Sequence, residues 1–252
     1  MNMLKTMSGW TVGLLSSFWW LTTSFAQSVP PDSVRHRVIL IGDAGRLRGG
    51  KNPVVDVVQS RYSFNDPRTT LIYLGDNVYP YGLSDETNPR YNAFVETLRY
   101  QVRPGRSDGG AASRPLDGSG TGRQSSANLE PSSPGRVLFI PGNHDWAQGK
   151  PDGWDNIRRQ GRWLDSLNAP NIRLLPADGC PGPEEILLTD KLVLVILDSQ
   201  WWLHHHDKPG LESDCADKTE VEVVARLVDI ANRHKDKGVI VATHHPFRSY
   251  GI

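Results

Sequence analysis

Five short, continuous apolar runs constrain this chain more than any other feature. They cover residues 37–41, 70–74, 137–140, 192–197 and 239–242. None alternates apolar with polar, so the runs predict strands covered on both faces. Between them lie helical stretches at 53–60, 91–102, 154–167 and 219–234. In the last, Val221, Val224, Ala225, Val228 and Ala231 recur at spacings of three and four, a stripe expected to dock on a sheet. Strands alternating with helices predict an α/β fold.

Composition removes several function classes. Lys and Arg total 28 and Asp and Glu total 28, so no net field attracts a polyanion, and specific nucleic-acid binding is not expected. Hydrophobic residues at 38% and charged residues at 22% fit a globular chain with a core. Two cysteines are too few for a disulfide-built scaffold or a four-thiolate zinc site.

The first 26 residues read as a secretory signal peptide. Lys5 is their only charge, an apolar stretch runs from Trp10 to Leu21, and Ser24-Phe25-Ala26 offers small residues for cleavage. Ser16, Ser17, Thr22 and Thr23 interrupt the apolar run, which argues against a membrane anchor. An exported location follows: periplasmic, extracellular or cell-surface. Membrane association is expected only if the signal is uncleaved or the chain continues. In an oxidising compartment Cys180 and Cys215 are expected to form one disulfide. Residues 27–252 then form one domain. Within it, 103–136 is rich in Gly, Ser and Pro and poor in large apolar residues, and reads as a flexible surface insertion.

Chemistry gathers where the strands stop. The first run leads into Gly42-Asp43-Ala44-Gly45 and the second into Gly75-Asp76-Asn77-Val78-Tyr79. The third leads into Gly142-Asn143-His144-Asp145 and the last into Thr243-His244-His245-Pro246. Sites of α/β sheets collect beyond the carboxyl ends of strands, so aligned strands would unite the four clusters. Asp43 and Asp76 supply anionic oxygens, Asn143 an amide oxygen and His244 an imidazole, a mixture suited to metals of intermediate hardness. Two carboxylates in one pocket repel, and bound cations relieve that repulsion. A carboxylate bridging two metals is the arrangement used to hydrolyse phosphate esters.

These four blocks resemble the calcineurin-like metallophosphoesterase superfamily. Gly42-Asp43, Gly75-Asp76-Asn77, Gly142-Asn143-His144-Asp145 and His244 stand where the first four family blocks stand. The purple acid phosphatase branch is the most similar: Gly45 replaces the first-block His of most members, and Tyr79 lies three residues after Asp76. The resemblance implies a four-layer α/β/β/α sandwich and two metal ions, iron with iron, zinc or manganese. Asp43 and Tyr79 would hold the first, Asp76 would bridge, and Asn143 and His244 would hold the second. His144 would stabilise the transition state or protonate the leaving group, with Asp145 orienting it. The implied activity is hydrolysis of phosphate-ester substrates by a metal-activated hydroxide.

One departure stands out. The family's last block, Gly-His-x-His, should follow His244, yet the sequence stops at Ile252. An incomplete C-terminus is therefore expected, with a non-catalytic fragment or an appendage of a longer membrane-associated protein as the alternative reading. His204-His205-His206 precedes the fourth block and reads as a solvated loop. Asp198 reads as a strand-end turn or a support to the site.

Overall fold

The computed structural model describes residues 33–106 and 134–248. The proposed signal peptide and residues 107–133 of the insertion lie outside them. Two sheets organise the described residues. The first is parallel, in the order β1 (Arg37–Ile41), β2 (Thr69–Tyr73), β3 (Arg136–Phe139) and β4 (Ile172–Leu174). The second places β6 (Leu192–Ile196) between antiparallel β5 (Glu184–Thr189) and parallel β7 (Gly238–Ala242). Helices α1 (Pro53–Arg61), α2 (Tyr91–Val102), α3 (Gly153–Asp165), α4 (Ser199–Leu203) and α5 (Glu220–Arg233) complete the elements. The fold is α/β, as the alternation predicts.

Burial explains the continuous apolar runs. Leu71 and Tyr73 of β2 join Val137 and Phe139 of β3 in a core with α1, α2 and α3, through residues such as Val55, Leu98 and Ile157. Ile72 and Leu138, on alternate positions, join Ile140, Leu175, Ile186, Leu194, Ile196 and Ala242 in a second core that contains residues of both sheets. A third cluster sets Val193 and Val195 against Ile230 and Leu227 of α5. All five residues of β2 are therefore buried.

Three sequence expectations need correction. Among the described residues strands β1 and β7 are sheet edges, and Leu40, Val239 and Val241 are exposed rather than covered. Helix α5 docks through Val223, Leu227 and Ile230, while Val221, Val224 and Val228 face outward, Val221 being 79% exposed. Both stripes have helical spacing, so periodicity alone could not choose between them. The insertion is also narrower than 103–136. Arg103–Gly105 form a 3₁₀ turn with Pro104 and Gly105 buried, and Arg136 opens β3. Asn171 Nδ2 donates to Gly105 O and Gly135 O, each at 2.9 Å, tying the two flanks together.

Cys180 and Cys215 form the expected disulfide, with Cα atoms 5.6 Å apart and a sequence separation of 35. It joins the turn after β4 to the segment before α5. A double Cys→Ser substitution should cost about 3–4 kcal/mol, the chain entropy released by opening a loop of that size. Urea titration would read it, and an unchanged midpoint would contradict it.

Candidate metal centre

Register brings the polar clusters together. Ile41 lies opposite Tyr73, and Tyr73 opposite Phe139, so β1, β2 and β3 end level with one another. Asp43 and Asp76 follow at once, and both occupy the left-handed region, with φ of 57° and 56°. Each such residue costs about 1–3 kcal/mol and persists only where its surroundings fix it. Here they do. Asn52 Nδ2 and Gln101 Nε2 both donate to Ala44 O at 3.1 Å, and Gln101 Nε2 also donates to Asn77 O at 2.8 Å. Gly45 packs flat on the second loop, where a Cβ would meet Val78 N at 2.7 Å and Asn77 C at 2.8 Å. No side chain fits at position 45, so the absence of a histidine there follows from packing.

The predicted donors converge. Tyr79 Oη lies 2.8 Å from Asp43 Oδ1 and 2.9 Å from Asp76 Oδ2. One hydroxyl proton cannot satisfy two carboxylates at once, which leaves one close oxygen–oxygen contact uncompensated. His244 Nδ1 lies 2.8 Å from the Leu74 carbonyl, which can only accept, so Nδ1 carries the hydrogen. His244 Nε2 lies 3.1 Å from Asn143 Oδ1 and 3.5 Å from Asp76 Oδ1. Among the described residues no Lys or Arg pairs with Asp43 or Asp76, although Asp76 is only 3% exposed.

The carboxylates of Asp43 and Asp76, the Tyr79 oxygen, the Asn143 amide oxygen and the His244 imidazole lie within reach of one another, a donor set whose chemistry fits a cation. Among the described residues no group of three or more His, Cys, Asp and Glu side chains is arranged to hold a metal ion. Asp43, Asp76 and His244 therefore do not form such a group by themselves, and the cluster includes Tyr79 and Asn143 as well. Burial, followed by the contacts with Asp43 and Asp76, raises the Tyr79 phenol above its ordinary range.

His144 and Asp145 part company. His144 Nδ1 meets Pro80 O at 2.7 Å, its amide N–H donates to Asp76 Oδ1 at 3.0 Å, and its Nε2 lies 3.7 Å from Asp76 Oδ2. Gln148 Nε2 also lies 3.0 Å from His144 Nδ1, and no hydrogen bond joins Asp145 to His144 among the described residues. The Asp145 carboxylate is fully buried and accepts from the amides of Gly142 at 2.8 Å, Asn77 at 3.0 Å and Val78 at 3.1 Å. Asp145 thus ties the third cluster to the second and is a positioning residue. Burial pushes its carboxyl up to about 8, against the pull of the Gly142 and Asn77 amides.

Behind the cluster lies a second buried group. Asp198 caps α4 through Gln200 N at 2.9 Å and Trp201 N at 3.2 Å, and accepts from Trp146 Nε1 at 2.7 Å. His204 is not solvated, as expected from its loop, but 1% exposed with its ring 4.7 Å from that of Trp146. Burial pushes the Asp198 carboxyl up to about 7, against the Trp146 indole and the two amides. Between its unfolded value near 4 and that pH, the folded chain holds a proton that the unfolded chain has lost. Stability therefore falls as pH rises through this window, by about 1.4 kcal/mol per unit at most, and levels off above it. Asp198→Asn removes this slope, so the deficit of the variant should be larger at pH 5 than at pH 8. Equal deficits in urea titrations at the two pH values would contradict this.

Sequence reasoning missed Asn52, Gln101 and Asn77 as supports. Asn77 Nδ2 donates to Ile140 O at 2.8 Å, joining the second cluster to β3. The Gly-Asp-Asn run contained a signal for Asn77, whereas nothing local marks Gln101 on α2. His245 is a neighbour, its Nδ1 2.9 Å from Ser199 Oγ. Compared with known proteins, the chain matches no family model, and no curated protein matches it in sequence.

Proposed function

We propose that the chain is an exported metal-dependent phosphoesterase, similar to the purple acid phosphatase branch of the calcineurin-like metallophosphoesterases. One observation carries the reading: Asp43, Asp76, Tyr79, Asn143 and His244, from four separated strand ends, meet within hydrogen-bond distance of one another. The three apolar clusters, one of them drawn from both sheets, support a four-layer α/β/β/α arrangement. The Cys180–Cys215 disulfide supports an oxidising, extracytoplasmic location.

Asp43 and Tyr79 would hold one metal ion, Asn143 and His244 the other, and Asp76 both. When bound, the pair would supply an acidified water as nucleophile and positive charge for the phosphoryl oxygens. The protein's own groups do the rest. Pro80 O fixes the ring of His144 through Nδ1, so that Nε2 is the atom that would pass a proton to the leaving-group oxygen. The Asp145 carboxylate holds the amides of Gly142, Asn77 and Val78, and with them the approach of the two loops.

Hydrolysis of p-nitrophenyl phosphate with added iron, manganese or zinc tests the reading. Turnover is expected with metal, and its loss with chelator and in Asn143→Ala. A chain that binds the metals yet turns over no ester would contradict it.

A further inference from the structure

A cavity of about 560 Å³ opens at the candidate centre, and its lining includes Asp43, Tyr79 and His144 together with Arg46 and Arg48. Six other arginines, Arg68, Arg99, Arg103, Arg158, Arg226 and Arg233, each meet a carboxylate. Arg46 and Arg48 are exposed, and no ion pair or side-chain hydrogen bond to either occurs among the described residues.

Their loop is nevertheless built to hold still. Its start is fixed by the two donors to Ala44 O, from Asn52 and Gln101. Its tip is a two-residue turn in which Arg48 N donates to Lys51 O at 2.8 Å and Lys51 N to Arg48 O at 3.1 Å. Gly49 and Gly50 sit in that turn at φ of 56° and 72°, the doubly left-handed geometry that glycine adopts without cost. Two guanidinium groups without partners among the described residues, on a hydrogen-bonded loop that shares one cavity with Asp43, Tyr79 and His144, suit a second oxyanion.

We propose that Arg46 and Arg48 form a subsite for a second phosphate, making compounds with two linked phosphates the preferred substrates. The inference rests on the phosphoesterase reading. In the reaction, water oxygen bonds to the terminal phosphorus and the bond from phosphorus to the bridging oxygen breaks. That oxygen keeps the electron pair and leaves on the inner phosphate. Orthophosphate and a monophosphate are formed, one proton is released, and nothing is oxidised or reduced. The arginines would hold the inner phosphate and offset the charge it gains on leaving.

ADP and AMP differ only in the second phosphate, so the ratio of their kcat/KM values reads the subsite. With metal supplied, the ratio is expected to exceed about tenfold, the discrimination one charge-assisted contact gives. It should fall toward one in Arg46→Gln/Arg48→Gln, with circular dichroism confirming the fold. Calorimetric titration gives a readout without turnover: methylenediphosphonate should bind about tenfold tighter than methylphosphonate, and the double variant should lose that preference. Turnover of p-nitrophenyl phosphate and AMP without preference for ADP or the diphosphonate would overturn the subsite and leave the phosphoesterase reading intact. No turnover of any ester and no binding of either phosphonate would overturn both.

Discussion

Asp76→Asn should lower metal-dependent phosphoester hydrolysis by about a thousandfold or more, while leaving the metal-free protein as stable as before or slightly more so. The side chain is 3% exposed, and both its oxygens are used, one by the His144 amide at 3.0 Å and one by Tyr79 Oη at 2.9 Å. An amide has the same shape and can keep the bond from His144. What it lacks is the charge. In the proposed centre Asp76 is the single ligand shared by both metals, and substitution even of residues behind the ligands commonly costs ten- to a hundredfold. In the metal-free chain the same charge shares the Tyr79 hydroxyl with the Asp43 carboxylate, and among the described residues no Lys or Arg pairs with it. Removing it relieves repulsion. Thermal melts should therefore show no loss without metal, and disappearance of the metal-induced rise in Tm that the wild type gives. A variant that loses activity because it unfolds, or that keeps its metal-induced rise, would contradict this account.

Gly75→Ala should be the most damaging single substitution near the site, costing about 2–4 kcal/mol of stability and abolishing metal uptake. Two effects add. Gly75 has φ of 94°, where a Cβ is strained, and that Cβ would overlap His244 Nδ1 and lie 2.7 Å from His244 Cγ and 2.9 Å from Gly142 Cα. The methyl would thus displace the one imidazole that the fourth cluster contributes, and with it the hydrogen bond from Nδ1 to Leu74 O. Gly142 has little room to move, because it lies so close to the second loop that a Cβ built on it would overlap Asp76 and come within 3.0 Å of Gly75 C. Chemical denaturation and a metal titration of the same variant would read the two losses separately. Wild-type stability would refute the packing argument, and unchanged metal uptake would refute the link from packing to site.

The sheet strands and the donors were legible for one reason. Strands buried on both faces, such as β2, carry continuous runs like Leu71-Ile72-Tyr73, and the residues that follow them are the first free to carry chemistry. That is why Asp43, Asp76, Asn143 and His244 stood out. What escaped is what depends on the third dimension. Strand β4 is three residues long, and β5 begins with two glutamates, so neither carries a pattern of its own. Helix α5 has two apolar stripes, and only its neighbours Val193 and Val195 decide which one is buried. Gln101 looks like any polar helical residue until its amide is seen joining Ala44 O to Asn77 O. Asp145 has the place in sequence of a partner for His144, but the chain turns there, and its carboxylate meets backbone amides instead.

Counting metal ions tests the central claim most directly. After equilibrium dialysis against manganese or zinc, mass spectrometric analysis should find two ions per wild-type chain. Asp43→Asn and Asn143→Ala, each altering one side of the cluster, should leave one. A wild-type chain that retains no metal, or substitutions that leave the count at two, would contradict the account.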